Sequence, residues 1–500
     1  MPKPESARRD LLFVLALALG KLLFHVATNG AYGFHRDELA TLSDARHLAW
    51  GYVAYPPLTP FVGRIALTLF GTSLSGFRFF AALAMSLVVV LSALMARRLG
   101  GGRAAMLIAA GAVTIAPLPL AASSLLQYVA FDALWVVLLA YLMIRLIGSG
   151  DARWWIAIGV TIGLGVLTKY TMAFFAAGVV AGVLFTPLRR HLRSPWLWGG
   201  ALLSIAMAAP HFLWQWQHHW ITLDFLQSIH ARDVRIGRTS AFYREQLFIP
   251  ASPLTVPLWA AGLVALVADR RLHRYRPLAW MALVPFVLFA AAQGRGYYTA
   301  PIYPMLLAAG AVWLERALAP RSATVRRYAW GVATLLLVAG SGIAVLLLPI
   351  APLGSPLAVR AMQRNSDLRE EVGWPELAAE VRRIGATLSP AERSHAAVFC
   401  GNYGEAGALE LYGTGGLPLF ASVNSFWLRG VPEPPPETVI VLGAERAQLA
   451  RMFDSVELAG HVTNRFGIRN EEATEHPDVY ICRNIHIPWR QLWPRIRGFG

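Results

Sequence analysis

The chain has 500 residues, of which 56% are hydrophobic and only 15% are charged. Soluble domains carry about 25% charged residues, so this composition excludes an ordinary soluble protein and predicts a polytopic membrane protein. Lys and Arg outnumber Asp and Glu by 45 to 29, which in a soluble chain would suggest a nucleic-acid partner. We predict no such partner, because most of the excess is arginine between apolar runs and no basic patch is interleaved with exposed aromatic residues.

The first apolar run, residues 11–28, follows a charged tail and lacks a small-residue cleavage site. Further apolar runs follow it, so we predict a retained signal anchor. A helix needs about 17–25 apolar residues to cross a bilayer core. The run 154–187 is too long for one span and is divided at Lys169. We predict about eleven transmembrane helices, at residues 11–28, 78–96, 104–119, 129–147, 154–168, 171–187, 195–213, 254–268, 277–293, 299–314 and 328–349.

Arginine-rich segments alternate with arginine-poor ones between these spans. Segments such as 97–103, 188–193 and 269–276 contain several arginines and almost no acid, which is typical of cytoplasmic loops. The outer side then receives the loop after the first span, the 120–128 turn, the Lys169 turn, 214–253 and 294–298. An odd number of spans also places the C-terminal part outside.

The composition changes near residue 355. Residues 355–500 contain an amphipathic segment, 374–387, and short strand-like runs at 396–400, 438–443 and 479–483. This alternation predicts a small α/β domain outside the membrane, after a transmembrane domain at residues 1–350. Cys400 and Cys482 each end a predicted strand, and the sequence leaves open whether they form a disulfide or are buried free thiols.

The outer loop after the first span, residues 29–77, begins with the acid pair Asp37-Glu38. Apolar residues at helical spacing follow (Leu39, Leu42, Ala45, Leu48 and Ala49), and then comes Tyr55-Pro56-Pro57. Acids in the first turn of a helix complement the helix dipole, which is one explanation of the pair. Its position at the membrane face beside His35 and Arg36 favours a functional one.

Other charges are predicted on the same side of the membrane. Asp132 lies near the outer end of the fourth span, where an acid is a functional candidate unless it only forms a buried pair with an arginine. Lys169 lies in an outer turn, where it either snorkels or binds a ligand. Arg295 is flanked by glycines that permit close approach of a ligand. Lys21 and His25, one turn apart in the first span, either line a cavity or snorkel.

This combination of carboxylates and cations around an apolar bundle suits a substrate with an apolar tail and a phosphate head group. The cations would stabilise charge on a leaving phosphate, and a carboxylate would accept a proton from an incoming hydroxyl. The chain contains no Walker A, GxGxxG or HEXXH motif. Histidines at 211, 218, 219 and 230 are interleaved with tryptophans and indicate an interfacial segment rather than a metal site. Whether Asp37 or Asp132 holds a divalent cation stays open.

Several segments resemble the GT-C membrane glycosyltransferases, in the bacterial branch related to protein O-mannosyltransferases and the lipid A aminoarabinose transferase. They are Phe34-His35-Arg36-Asp37-Glu38-Leu39, His47-Leu48-Ala49-Trp50-Gly51-Tyr52, Pro56-Pro57-Leu58, Leu167-Thr168-Lys169-Tyr170, Gly294-Arg295-Gly296-Tyr297-Tyr298, Ala300-Pro301-Ile302-Tyr303-Pro304 and Gly401-Asn402-Tyr403-Gly404-Glu405-Ala406-Gly407. Tyr55 stands where relatives often carry histidine, and Arg295 stands where many carry lysine.

The resemblance implies a polyprenyl-phosphate-linked sugar donor, inversion at the anomeric carbon, and a periplasmic C-terminal domain. It implies that Asp37 is the catalytic base, supported by Glu38. It makes Lys169, Arg295 and Arg36 candidates for binding the donor phosphate. The expected substrate contacts are Asp132, His35, Tyr55, Tyr170, Tyr297, Tyr298 and Tyr303.

The sequence therefore predicts an inner-membrane enzyme that moves a hexosyl or pentosyl group from polyprenyl phosphate to a hydroxyl. The acceptor would be lipopolysaccharide, another glycan, a lipid or a protein on the periplasmic side. A secondary transporter is the alternative, but such proteins tend to show internal repeats and a site at the membrane midplane. A structural or assembly protein is a third interpretation, against which the convergent charges argue.

Overall fold

A computed structural model describes residues 4–344 and 346–500 of the chain. The N-terminal part is helical, and helices lie at each of the predicted spans. The helices are α1 Pro4–Thr28, α2 Arg36–Arg46, α3 Leu58–Phe70, α4 Leu74–Arg98, α5 Arg103–Thr114, α6 Pro117–Ala122, α7 Tyr128–Ser149, α8 Trp154–Val166, α9 Met172–Leu184, α10 Pro195–Gln217, α11 Ile221–Arg235, α12 Phe242–Glu245, α13 Val256–Ala268, α14 Arg276–Ala291, α15 Tyr303–Leu318 and α16 Ala323–Ala344.

The apolar helices differ in length. Four are long and apolar enough to cross a membrane by themselves within the described residues: Arg8–Thr28, Leu74–Arg98, Tyr128–Ser149 and Pro195–Gln217. Two bent pairs, Met172–Leu184 with Pro187–Arg193 and Pro253–Ala268 with Arg270–Ala291, raise that number to six if each pair is one span. The total of about eleven spans stays a prediction. One predicted span, 104–119, is divided into α5 and α6 because Pro117 begins a new helix.

Close backbone packing joins several of the shorter helices. A Cβ atom at Gly159 of α8 would lie 2.0 Å from the carbonyl oxygen of Gly200 in α10. A Cβ at Gly310 of α15 would lie 1.9 Å from the carbonyl oxygen of Leu258 in α13. Small residues at such contacts let helices approach closely, which stabilises bundles inside a lipid phase.

The loops collect at the two ends of the bundle. At one end, the Leu58 N–H donates to the Leu167 carbonyl (2.9 Å), and the Leu118 N–H donates to the Ile249 carbonyl (3.1 Å). At the other end, Arg316 donates to the Leu99 carbonyl (2.8 Å) and Tyr275 to the Arg98 carbonyl (3.2 Å). The first two contacts join predicted outer segments, and the last two join predicted cytoplasmic segments. This grouping is expected if successive spans cross the membrane in alternate directions.

The C-terminal part contains a small mixed sheet flanked by helices. Its helices are α17 Pro356–Arg364, α18 Trp374–Gly385, α19 Pro390–Ser394, α20 Tyr403–Tyr412, α21 Asn424–Trp427, α22 Arg446–Leu449, α23 Glu471–Glu475 and α24 Trp489–Leu492. Its strands are β1 Ala396–Cys400, β2 Leu419–Ala421, β3 Thr438–Leu442, β4 Phe453–His461 and β5 Asp478–Ile485. The strand order is β2-β1-β3-β5-β4, with β1 parallel to β2 and β3, and β5 antiparallel to β3 and β4. The three predicted strands are β1, β3 and β5, whereas β2 and β4 were not predicted.

The two cysteines are free and fully buried. Cys400 is on β1 and Cys482 on β5, with β3 between them, and they lie opposite Leu442 and Val439 of β3. They are therefore more than two strand spacings apart. They also belong to separate apolar clusters, on different sides of the sheet. The structure therefore decides the open alternative in favour of two buried thiols.

One buried apolar cluster is shared by the helical bundle and the C-terminal part. It includes Phe77 and Met85 of α4, Leu39 and Leu42 of α2, and Trp374 of α18. The helix α2 therefore lies between the bundle and helix α20 of the C-terminal part, and α20 in turn packs on the sheet. The predicted division at residues 350–355 remains a prediction, since this core continues across it.

Candidate active site

Asp37 lies in the first turn of α2, whose N-cap is His35. The carboxylate is held at both oxygens: Tyr403 donates its hydroxyl to Oδ1 (2.8 Å), and Gln127 donates its side-chain amide to Oδ2 (2.7 Å). The side chain is nevertheless 43% exposed. A carboxylate has about four lone-pair positions, so Asp37 is fixed in orientation and still able to accept a proton from a hydroxyl.

Glu38, the other member of the pair, is completely buried. Arg78 of α4 donates to it through Nη2 (2.6 Å to Oε2) and Nε (3.0 Å to Oε1). The backbone N–H groups of His35 and Leu126 donate to the same carboxylate. Glu38 does not reach solvent, so its contribution is to hold the N-terminus of α2 against the bundle.

Changing Glu38 to Gln is expected to destabilise the protein by about 2–3 kcal/mol, because charged hydrogen bonds to buried Arg78 are lost. The measurement is the thermal unfolding midpoint of the purified protein, which should fall by several degrees. Asp151→Asn, which breaks an exposed pair with Arg153, is the matched control and should change little. An E38Q midpoint equal to that of the wild type would contradict this role.

Lys169 lies in the turn between α8 and α9 and is surrounded by aromatic rings. Its Nζ atom is 4.4 Å from the ring centroid of Tyr298 and 5.1 Å from those of Tyr297 and Tyr128. The Asp132 carboxylate is 3.9 Å from the same atom and also accepts a hydrogen bond from Thr171. Asp132 is thus the buried counter-ion of Lys169, whereas the alternative considered from the sequence was a pair with an arginine. Its contact with substrate stays a prediction.

Two consecutive residues connect Asp37 to Lys169. Gln127 donates to Asp37, and the next residue, Tyr128, places its ring against Lys169. A half-exposed carboxylate and a cation are therefore brought to the same end of α7. Gln127 and Tyr128 are missed by the sequence analysis, although both belong to the short segment that contains Asp132.

Arg295 is ion-paired with Asp233 of α11, with 2.6 Å between Nε and Oδ2. The other oxygen of Asp233 is buried and accepts no hydrogen bond among the described residues, and the Nε of Arg232 lies 3.9 Å from it. Burial raises the pKa of the Tyr297 phenol, and the nearby charge of Arg295 opposes this increase. Asp233 was not predicted, because in the sequence it looks like part of a solvated helix face with alternating charges.

The contacts of Arg36 and His35 in the described residues are with groups other than Lys169 and Arg295. Arg36 pairs with Glu471 of α23 and its guanidinium lies 4.9 Å from the ring centroid of Tyr403. His35 caps α2, accepting from the Asp37 N–H (3.1 Å), and its Nε2 is buried without a partner among the described residues. Arg36 thus contacts the C-terminal part, and its contact with a donor phosphate stays a prediction.

Three predicted tyrosines bind protein groups. Tyr55 donates to Asp44 (2.7 Å), with its ring 6.1 Å from that of Tyr128. Tyr170 is 2.8 Å from His211, and Tyr303 donates to Gln246 (2.8 Å). Tyr55 borders the cluster of Lys169, Tyr128, Tyr297 and Tyr298, whereas none of these contacts brings Tyr170 or Tyr303 to it. Within residues 4–344 and 346–500, no group of three or more His, Cys, Asp or Glu side chains is arranged to hold a metal ion.

Comparison with known proteins gives matches of several kinds. The family model of the dolichyl-phosphate-mannose-protein mannosyltransferases matches residues 54–214. The chain is 26% identical over 333 residues to the undecaprenyl phosphate-alpha-4-amino-4-deoxy-L-arabinose arabinosyl transferase 1 of Pseudomonas fluorescens, covering 62% of this chain and 60% of that protein. An uncharacterised protein of Aquifex aeolicus is 25% identical over 260 residues. The matches thus span 51–60% of the length of these curated relatives.

Solved structures share the fold. ArnT from Cupriavidus metallidurans bound to undecaprenyl phosphate has a TM-score of 0.61 at 17% identity, covering 94% of this chain and 97% of that one. The arabinofuranosyltransferase AftD from Mycobacteria has a TM-score of 0.54 at 14% identity, covering 95% of this chain and 40% of that one.

The fold is that of the GT-C superfamily of membrane glycosyltransferases. In sequence the chain is similar to the mannosyltransferase family over residues 54–214 and to an aminoarabinose transferase over 62% of its length.

Proposed function

We propose that this protein is an inverting glycosyltransferase that moves a sugar from a polyprenyl-phosphate donor to a hydroxyl acceptor. The observation that carries the proposal is the placement of Asp37, half-exposed and held by Gln127, beside the cluster formed by Lys169, Tyr128, Tyr297 and Tyr298. A base and a phosphate-binding cation at one end of a bundle suit this reaction. The related arabinosyl transferase is named for an undecaprenyl-phosphate sugar, and ArnT has been solved with undecaprenyl phosphate.

In this mechanism the acceptor oxygen attacks the anomeric carbon opposite the phosphate. Asp37 takes the proton of the acceptor hydroxyl as the new carbon–oxygen bond forms. The bond between the anomeric carbon and the phosphate oxygen breaks, and its electron pair stays on the phosphate. Lys169, supplemented by Arg295, stabilises the charge that develops there. Attack through an oxocarbenium-like centre from the opposite face gives inversion.

Neutral aromatic rings around Lys169 explain why a phosphate would bind there. The lysine is 12% exposed, so its ammonium is largely removed from water. Charge interactions are stronger in such surroundings than in bulk solvent. Asp132 balances the charge of Lys169 from 3.9 Å, a distance too long for a direct hydrogen bond. The N–H groups of the ammonium can therefore donate to a phosphate oxygen.

The direct test is transfer in proteoliposomes that contain one radiolabelled polyprenyl-phosphate sugar and lipid extract from the cell envelope. Hexosyl and pentosyl donors are supplied separately. We expect label to leave the donor lipid and enter a glycan, lipid or protein fraction only when active protein is present. Retention of label on every donor tested, in the presence of folded protein and envelope acceptors, would contradict the proposal.

We also propose that the site lies on the periplasmic side of the inner membrane. Ser240, exposed near Asp233, and Ser149, exposed at the far end of α7, are suitable positions for single cysteines. In spheroplasts, S240C should react with a membrane-impermeant maleimide and S149C should react only after permeabilisation. Cys400 and Cys482 are fully buried, so unsubstituted protein is the unlabelled control. Labelling of S149C alone in intact spheroplasts would reverse the orientation.

A further inference from the structure

The C-terminal part of the chain contacts the proposed base directly. The hydroxyl of Tyr403, the first residue of α20, donates to Asp37 Oδ1 over 2.8 Å, although the two residues are 366 positions apart in the chain. The opposite oxygen is held by Gln127 from the membrane bundle (2.7 Å). Asp37 is therefore clamped between a group of the bundle and a group of the C-terminal part.

We infer that Tyr403 is a positioning residue for sugar transfer, which holds the Asp37 carboxylate in the orientation for proton abstraction from the acceptor hydroxyl. The inference rests on the proposed function of Asp37 as the base. It makes the C-terminal part an integral component of the active site, not a separate module attached to the membrane domain.

The packing of α20 on α2 fixes this contact. A Cβ atom at Gly407 would lie 2.6 Å from the carbonyl oxygen of Leu39, so the helices meet backbone to backbone there. A Cβ at Gly404 would lie 2.9 Å from the Trp374 ring and 3.1 Å from Arg36 Cβ. Because larger residues do not fit at these two positions, α20 holds the Tyr403 hydroxyl at a defined distance from α2.

Ion pairs at both ends of α2 reinforce the same docking. Near its start, Arg36 pairs with Glu471 of α23. Near its end, Arg429 donates to Asp44 (3.2 Å) and to Glu410 (3.3 Å). Burial raises the pKa of Asp44 to about 7, an effect that Arg429 opposes. The helix that carries Asp37 is thus attached along its length to the C-terminal part.

The local electrostatics keep Tyr403 a hydrogen-bond donor. Burial raises the pKa of the Tyr403 phenol well above its usual value, and the Asp37 charge raises it further. The phenol therefore stays protonated at physiological pH and can donate its hydrogen bond to the carboxylate. The other titratable or charged groups that face this pair from neighbouring elements are His35, Arg36, Tyr128, Glu471 and Glu472.

The test is the kinetics of sugar transfer by Tyr403→Phe, with kcat and the KM for the donor lipid measured separately. This variant keeps the ring beside Arg36 and removes only the hydroxyl. Loss of the hydroxyl leaves the Asp37 carboxylate held at one oxygen only, by Gln127, so kcat should fall by about 10-fold to 100-fold. The KM for the donor lipid should stay within about twofold, because Tyr403 does not contact the Lys169 cluster. Tyr412→Phe in the same helix is the matched control and should leave kcat unchanged.

A second substitution, Tyr403→3-fluorotyrosine, keeps the hydroxyl as a donor. It should therefore restore kcat to within about twofold of the wild type. A raised donor KM with unchanged kcat in Tyr403→Phe, or a 3-fluorotyrosine variant as slow as Tyr403→Phe, would overturn the inference and leave Tyr403 a structural residue. Full activity of Asp37→Asn would instead remove the proposed base itself, so the two failures are distinguishable.

Discussion

Changing Asp37 to Asn is expected to lower the rate of sugar transfer by about 10²–10⁴, which is the usual contribution of a positioned general base. Asparagine has nearly the same shape and keeps one oxygen acceptor, but it cannot take the proton of the acceptor hydroxyl. The measurement is transfer of label from the polyprenyl-phosphate donor at saturating donor, with kcat as the readout. The KM for the donor should change little, since the donor phosphate is expected at Lys169.

The structure indicates that this variant will fold. Asp37 is 43% exposed, and the buried attachment of α2 depends on Glu38 and Arg78 instead. The matched control is Asp151→Asn, at the other end of α7, about 30 Å away by helix length. It should retain wild-type transfer. Undiminished transfer by D37N, with a normal unfolding midpoint, would exclude Asp37 as the base.

Changing Lys169 to Met is expected to lower transfer by about 10²–10³, comparable to removing one group that stabilises a developing oxyanion. Methionine fills a similar volume among Tyr128, Tyr297 and Tyr298 but carries no charge. Binding of the polyprenyl phosphate itself, measured with labelled lipid and purified protein, should weaken in parallel, because the lysine is proposed to contact the phosphate before and after transfer.

Loss of Lys169 also leaves Asp132 without its cation, which by itself could destabilise the bundle. The double variant Asp132→Asn with Lys169→Met removes this complication, because neither charge is then left buried alone. It should unfold near the wild-type temperature and still bind polyprenyl phosphate poorly. Recovery of lipid binding in the double variant would show that Lys169 acts only by neutralising Asp132.

Arg295 differs from Lys169 in how its charge is balanced. Its Nε donates to Asp233 over 2.6 Å, so part of its charge is already balanced inside the protein. Arg295 belongs to the same segment as Tyr297 and Tyr298, whose rings lie against Lys169. We therefore propose Arg295 as the second cation for a phosphate bound at Lys169. This arrangement also explains why a guanidinium is suitable at this position, since it has further N–H groups after pairing with the carboxylate.

Local sequence patterns determined the class of the protein and the place of its principal charges. Hydropathy is a property of one continuous segment, so the apolar runs correctly located the helices of the bundle. The break at Lys169 was predicted from the length of the run and from Thr168-Lys169-Tyr170 at its middle, and it is the turn between α8 and α9. Leu39, Leu42 and Ala45, predicted on one apolar helix face, are all fully buried in α2. The same prediction was wrong for Leu48 and Ala49, because α2 ends at Arg46 and Leu48 is exposed. The predicted strands β1, β3 and β5 are runs rich in apolar and β-branched residues, which is again a local signal.

The tertiary structure alone decided which groups surround those charges. Gln127, Tyr403 and Asp233 contact Asp37 or Arg295 across 90, 366 and 62 positions of the chain, and no periodicity connects residues so far apart. Tertiary contacts also divided the acid pair into a half-exposed Asp37 and a buried Glu38, because the helical turn directs only the second toward Arg78. Side-chain hydrogen bonds depend on how helices and sheet pack together, whereas hydropathy and spacing describe each segment by itself.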